Sequence, residues 1–229
     1  MEEKIRNRLI EYLNSSVISD ILDDMGYRNN VFEYGIRPLQ DSCKVFGKAF
    51  TVLASDVYDT SPDLLKLELE CVDWIGFGEV MVITTNRSRA CGFWGELLTT
   101  KAIQNGCAGA VIDGFTRDAL RIKEMEFPLF VTGVRSSTSI GRTAVTAYQV
   151  PICISGVMVM PGDYIFGDYD GIVVIPQAIA EEVFEACLGK IEREDYTRQQ
   201  LLQGRSISCF LYYTRCLTTR FPMRIFMWN

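Results

Sequence analysis

Apolar residues recur at helical spacing from the start of the chain. Ile5, Leu9, Ile10 and Leu13 predict a helix over 2–13, and Val17, Ile18, Ile21 and Leu22 a second over 17–25. Ser15 or Ser16 is placed to cap the second helix, and Gly26 to end it. Continuous apolar runs at 44–54 and 79–84 read as strands, with a helix over 62–70 between them. The middle of the chain then alternates. Residues 95–105 read as a helix that stops at Gly106, 108–112 as a buried strand, 117–125 as a helix and 128–134 as a strand. That order is βαβ-like and predicts a parallel component in the sheet. From 144 the pattern shortens to β-type runs at 144–154, 157–160, 164–167 and 172–175, punctuated by Pro161-Gly162 and Asp170-Gly171. A helix from about 177 to 203 closes the pattern, with Ala178, Ile179, Val183, Ala186, Cys187 and Ile191 on its apolar face. The expected fold class is therefore α/β, a compact mixed domain with a β-rich second half.

Composition narrows the chemistry. A chain of 229 residues with 48% hydrophobic residues is long enough to bury a core without disulfides or a structural metal. Its 23 basic and 29 acidic residues give a net charge of −6, the wrong sign for a nucleic-acid footprint. There is no histidine. Ser-His-Asp and Cys-His nucleophile systems, HExxH zinc sites and histidine general bases are thereby excluded. Acid–base or metal chemistry falls to carboxylates, water, Lys, Tyr, Cys or Arg. Eight cysteines form no CxxC pair, and Cys107 and Cys153 sit in apolar runs that read as buried small hydrophobes. The amino terminus is charged and amphipathic, without the apolar centre of a secretory leader, and no run of about 18 apolar residues suggests a membrane span. A cytoplasmic protein is expected.

Residues 1–205 read as one domain and 206–229 as an atypical tail. The tail holds three arginines, six aromatic residues and no acidic residue, so all 29 acidic residues lie in 1–205. A docked extension, a partner-binding segment and an out-of-frame end all fit that composition. The regular EREDYTRQQLLQGRSI just before it favours the last.

One constellation carries candidate chemistry. Glu96 opens a predicted helix in GFWGELLTT, and twenty residues separate it from Arg117-Asp118 in VIDGFTRDAL. Both lie at the starts of consecutive helices flanking one strand, which places them at the same sheet edge. Unpaired backbone N–H groups there attract anions, so the amides around Gly95, Leu97 and Leu98 would hold a small carboxylate. Arg117 would add a charge-assisted contact. Asp118 would hold a hard divalent cation, with water completing the shell.

The runs GFWGELLTTKAIQNGCAGAVIDGFTRDALRIKEMEFPLFVTGV and VPICISGVMVMPGDYIFGDYDGIVVIP, with SSVISDILDDMGYRNNVFEYGIRPL and KVFGKAFTV upstream, resemble the class II 4-hydroxy-4-methyl-2-oxoglutarate aldolases. That family also contains the regulator of ribonuclease activity A. The resemblance covers roughly residues 10–205. It implies a compact α/β sandwich related to swivelling phosphohistidine-type domains, usually a homotrimer with sites between subunits. It implies a lyase that cleaves 4-hydroxy-4-methyl-2-oxoglutarate, or a related 2-oxo acid, to pyruvate and also decarboxylates oxaloacetate. The implied cofactor is Mg2+ or Mn2+. Carried over, Asp118 is the metal ligand, Arg117 contacts substrate and is catalytic, and Glu96 acts through metal-bound water. The amides of Gly95, Leu97 and Leu98 cradle the pyruvate carboxylate. The same motifs also fit a non-catalytic regulator that binds another protein.

The sequence departs from the family in TTNRSRACGFW, which stands where a glycine-rich stretch is usual; Asn86, Arg87 and Arg89 would bind a second carboxylate or form a solvated loop. Glu192, Glu194 and Asp195 lie where some aldolases supply a neighbouring subunit's carboxylate. Asp20, Lys101, Lys123 and Arg142 read first as surface groups, Asp163, Asp168 and Asp170 as turn formers, and Phe93 and Trp94 as core or pocket wall.

Overall fold

The computed structural model describes residues 9–33 and 35–208. The predicted helix over 2–13 therefore lies partly, and the 206–229 tail almost wholly, outside the described residues; residues 9–12 are helical. The fold is mixed α/β.

Helix α1 (Ser15–Asp24) leads to a short strand β1 (Arg37–Pro38) and the long strand β2 (Val45–Asp56). A 3-10 turn at Pro62–Leu65 runs into α2 (Lys66–Trp74). Then come β3 (Glu79–Thr84), β4 (Gly92–Trp94), α3 (Glu96–Gln104), β5 (Gly109–Ile112), β6 (Phe115–Thr116), α4 (Ala119–Glu124), β7 (Leu129–Val131) and β8 (Gly133–Val134). The β-rich remainder is β9 (Thr143–Tyr148), β10 (Ile152–Ile154), β11 (Val157–Val159), β12 (Tyr164–Gly167) and β13 (Ile172–Ile175), before α5 (Ala180–Leu202).

The main sheet has the order β1-β7-β5-β3-β2-β12-β13, and β9 also pairs with β2. Strands β2, β3, β5 and β7 are parallel neighbours, as the βαβ pattern predicts; β1, β9, β12 and β13 join antiparallel. Alternation along β3 divides the core in two. Met81 and Ile83 face Cys71 and Val72 of α2, Ala102 of α3 and Ile122 of α4. Val80 and Val82 face the β10–β11 hairpin through Ile152, Ile154, Val157 and Val159. A third cluster packs α1 and α5 on Phe46, Phe166, Val173 and Ile175.

Three predicted elements differ in detail. The run 144–154 is two strands, because Gln149 turns at φ 53° and Pro151 has no N–H to give a ladder. The run 128–134 breaks at Thr132 into β7 and β8, which belong to different sheets. Helix α1 is capped by Asn14, whose Oδ1 accepts from Val17 N at 2.8 Å. Ser15 instead donates its N–H and hydroxyl to Asp168, at 2.8 and 2.6 Å. Gly26, at φ 90°, ends the helix as expected. Cys153 is exposed on the outer face of β10, contrary to the buried reading, whereas Cys71, Cys91 and Cys187 are buried. No helix among the described residues is long and apolar enough to cross a membrane.

Candidate active site

The site is built by a second, three-stranded parallel sheet in the order β4-β6-β8. The chain runs from β3 to β4, from β5 to β6 and from β7 to β8. Strands β4 and β6 thus end side by side, with Trp94 opposite Thr116. Arg117 N donates to Trp94 O at 2.8 Å, and Thr116 Oγ1 donates to the same oxygen at 2.9 Å. Helices α3 and α4 start just beyond. Glu96 and Arg117-Asp118, distant in sequence, therefore converge at two adjoining helix starts.

The contacts there are close. Glu96 N donates to Asp118 Oδ2 at 3.3 Å, and Arg117 Nε lies 3.6 Å from that oxygen. Gly95 is required by this approach: a Cβ on it would lie 3.0 Å from Asp118 Oδ2 and 3.1 Å from Arg117 Nε. Gly92 is more tightly constrained, since its Cβ would meet the backbone Arg135 O at 2.2 Å and Arg117 Cβ at 3.0 Å. Asp118 caps α4 in the left-handed region at φ 55°, ψ 29°, a conformation that aspartate tolerates better than most residues. Its Oδ1 is not engaged by any described residue.

Leu97 and Leu98 stand in the first turn of α3, where backbone N–H groups have no intrahelical acceptor. The Leu97 side chain points out to solvent, as does that of Leu120 at the start of α4, while Leu98 packs on the core. Below them Thr99 Oγ1 accepts from Trp94 Nε1 at 2.8 Å and donates to Gly95 O at 3.0 Å, locking the turn. Phe93 and Trp94 are buried and belong to the core rather than to a pocket wall.

A metal would find one engaged carboxylate here, not a cage. No group of three or more His, Cys, Asp or Glu side chains able to hold an ion occurs among the described residues. The open Oδ1 of Asp118, with Glu96 half-exposed beside it, fits a cation that takes one or two carboxylates and fills its shell with water and substrate oxygens.

Two buried carboxyls near these strands were not visible as functional groups in the sequence. Asp113 accepts from Thr84 Oγ1 and Thr85 Oγ1, both at 2.8 Å, from Thr85 N at 2.5 Å and from Arg87 N at 3.3 Å. It ties the end of β5 to the turn after β3, where Asn86 and Arg87 sit at φ 55° and 60°. In the sequence, Asp113-Gly114 is a turn pair and gives no sign of this network. The second, Glu68 of α2, is pushed up to about 7, by burial above all; a hydrogen bond from Ser139 and the charge of Arg117 pull it back. Burial, with Glu68 adding to it, also pushes the Cys71 thiol up to about 12.

The other sequence candidates lie elsewhere. Arg87 pairs with Glu33 at 2.5 Å beside a cleft of about 190 Å³ that Arg89 and Asp113 also line. Asp20 pairs with Lys190 of α5, and Glu194 approaches the same lysine at 3.9 Å. Asp195 pairs with Arg198 within α5. Lys101 pairs with Asp73 at 3.4 Å, and Arg142 donates to carbonyls of its own loop. Asp163 and Asp168 accept backbone N–H groups of their turns, as expected of turn formers, and Asp163 also accepts from Gln177 N after β13.

Comparison with known proteins adds to this geometry. Residues 15–174 match the family model described as RraA-like: Aldolase/RraA. The chain is 31% identical over 196 residues to Protein DlpA of Legionella pneumophila, covering 85% of this chain but 31% of that protein's length. It is 30% identical to a Halalkalibacterium halodurans protein named "Putative 4-hydroxy-4-methyl-2-oxoglutarate aldolase", over 89% of this chain and 91% of the relative. Among solved structures, Streptomyces coelicolor RraAS2, described as an unusual member of the RNase ES inhibitor RraA protein family, superposes with a TM-score of 0.77 at 28% identity. That match covers 87% of this chain and 98% of the other. A structure titled among novel cellulases from microbes associated with the gut ecosystem superposes with a TM-score of 0.81 at 30% identity, covering 86% and 88%.

Proposed function

The chain belongs to the RraA-like family, Aldolase/RraA, and from that premise we propose that it is a class II pyruvate aldolase. It would cleave 4-hydroxy-4-methyl-2-oxoglutarate, or a related 2-oxo acid, to pyruvate and decarboxylate oxaloacetate as a side activity. The observation that carries this reading is the convergence of Glu96, Arg117 and Asp118 over Gly95, at the starts of α3 and α4.

The residues supply what a retro-aldol cleavage without a Schiff base requires. Leu97 N and Leu98 N, with Arg117, bind and orient the carboxylate end of the substrate. Arg117 also balances the negative charge that develops as the carbon–carbon bond breaks and an enolate forms. Asp118 would hold Mg2+ or Mn2+, which when bound supplies Lewis-acid polarisation of the 2-oxo group. Glu96 would hold a water that takes the proton of the substrate's 4-hydroxyl as the C3–C4 bond breaks and returns a proton to C3 of the pyruvate enolate, a task no histidine is present to perform. Decarboxylation of oxaloacetate passes through the same enolate, so one site serves both reactions. Leu97 and Leu120, 74% and 77% exposed beside the site, are the surface a further copy of the chain would cover in the trimer expected of this family.

Coupling pyruvate release to lactate dehydrogenase tests the reading. Metal-dependent pyruvate above the metal-only background, lost with EDTA and in Asp118→Asn, is the expected result. A folded wild-type chain that yields none overturns it. The likeness to RraAS2 favours the second reading, a regulator that binds another protein without turnover.

A further inference from the structure

The chain crosses from the main sheet to the small one three times, at the carboxyl ends of the parallel strands β3, β5 and β7. The crevice beyond such strand ends is where open α/β sheets receive ligands. Here it is a cleft of about 190 Å³ that takes Arg87, Ser88 and Arg89 from the first crossing, Asp113 and Phe115 from the second and Thr132 from the third. A cleft of about 240 Å³ adjoins it and shares Arg87, Asp113 and Ser155. Neither is lined by Glu96, Arg117 or Asp118.

The first crossing is a strained turn. Ser88 N donates to Thr85 O at 3.2 Å, with Asn86 at φ 55° and Arg87 at φ 60°, the pattern of a type I′ turn. Such turns prefer Asn-Gly at their two central positions. Asparagine holds the first, but arginine stands where glycine is preferred, in a left-handed conformation that a bulky side chain disfavours. Buried Asp113 fixes the turn by accepting from Thr85 N and Arg87 N. The strain places two guanidinium groups at the cleft. Arg87 meets the Glu33 carboxylate at 2.5 Å, with both side chains more than 60% exposed. Arg89 has no carboxylate partner among the described residues. An ion pair as exposed as Arg87–Glu33 has little net strength. Glu33 therefore marks a place for a carboxylate and yields it readily.

We propose that this cleft binds a small dicarboxylate, at a site distinct from the one around Arg117. One carboxylate of the ligand replaces Glu33 on Arg87 in a charge-assisted contact, and the other meets Arg89. Thr132 and Ser155 add hydroxyls to the wall, and Ile36 and Phe115 apolar surface. The association is non-covalent. It does not depend on the chain being an aldolase, because it concerns binding alone.

Isothermal titration of succinate into the full chain, in EDTA, tests the proposal. One succinate should bind, with acetate weaker by roughly tenfold or more. Arg89→Ala and Arg87→Gly should each weaken succinate by about tenfold, whereas Arg117→Lys should leave it unchanged. Glu33→Gln removes the competing carboxylate and should tighten succinate by roughly threefold. Arg87→Gly gives the turn its preferred residue, so without ligand it should melt no lower than wild type. A folded wild-type chain that binds no succinate overturns the proposal. So does binding that survives both arginine substitutions, or that is lost in Arg117→Lys, which would place succinate at the other site. Weaker binding in Glu33→Gln, or a lower melting temperature in Arg87→Gly, would make the Arg87–Glu33 pair a structural strap and overturn it as well.

Discussion

The backbone N–H of Glu96 donates to Asp118 Oδ2 at 3.3 Å, across 22 residues of chain. The bond fixes the start of α3 to the cap of α4. It spends one carboxylate oxygen of Asp118 on holding the site together and leaves the other open. Asp118 adopts a left-handed conformation that asparagine also tolerates. Asp118→Asn should therefore keep the fold, with a melting temperature close to wild type, while metal-dependent pyruvate release falls by roughly 100-fold or more. Retention of turnover at the wild-type level would remove Asp118 from the reaction.

Gly95 permits the same contact from below. An alanine there would put a methyl group 3.0 Å from Asp118 Oδ2 and 3.1 Å from Arg117 Nε, so both side chains must yield by a few tenths of an ångström. The site is partly exposed and can yield without unfolding. Gly95→Ala should cost under about 1 kcal/mol of stability, measured by denaturant titration. Catalysis is less forgiving of displacement, and kcat/KM should fall roughly tenfold. Equal losses in stability and activity would make Gly95 a folding residue only.

Glu68 makes a separate prediction about stability. Its pKa rises from 4.5 in the unfolded chain to about 7 in the fold. Between those values the native state binds the proton more tightly than the unfolded state, so stability falls as pH rises. The contribution is fully present below pH 4.5 and is lost through about pH 7, on the order of 3 kcal/mol in all. Glu68→Gln cannot ionise. It should be more stable than wild type at pH 8, with the difference shrinking towards pH 5 in parallel thermal melts. A difference that does not depend on pH would mean Glu68 keeps an ordinary pKa.

The sequence spoke most clearly where burial is continuous and local. Strands β3, β12 and β13 lie at the residues their apolar runs predicted, and the starts of α3 and α4 lie within two residues of theirs. Glu96 and Arg117-Asp118 were legible because helix starts after consecutive parallel strands share one edge. What escaped depends on contacts made across the fold. Ser15 resembles a helix cap, yet its partner is Asp168, 153 residues away, and Asn14 caps in its place. Thr132 carries no mark of the step from the main sheet to the small one. Glu68 stands in a run of alternating charged and apolar residues that reads as a solvated helix face. Its burial in the fold, at 6% exposure with the Ser139 hydroxyl 3.5 Å away, makes it an interior acid.

Asp168 shows how such a long-range contact contributes to stability without touching the chemistry. Its Oδ2 accepts from Ser15 N, and its Oδ1 from the Ser15 hydroxyl at 2.6 Å and Asp170 N at 3.0 Å. One carboxylate therefore shapes the turn between β12 and β13 and anchors the start of α1 to it. At 8% exposure, its removal would strand those donors away from water. Asp168→Ala should destabilise the chain by about 2–4 kcal/mol, read from the urea midpoint at unchanged slope. The cluster that α1 and α5 make on Phe46 and Phe166 is separate from the one beneath α3 and α4. Below its melting temperature, the variant should accordingly keep the kcat/KM of wild type for oxaloacetate. A loss of turnover in the folded variant would show instead that the α1 layer and the Arg117 site are coupled.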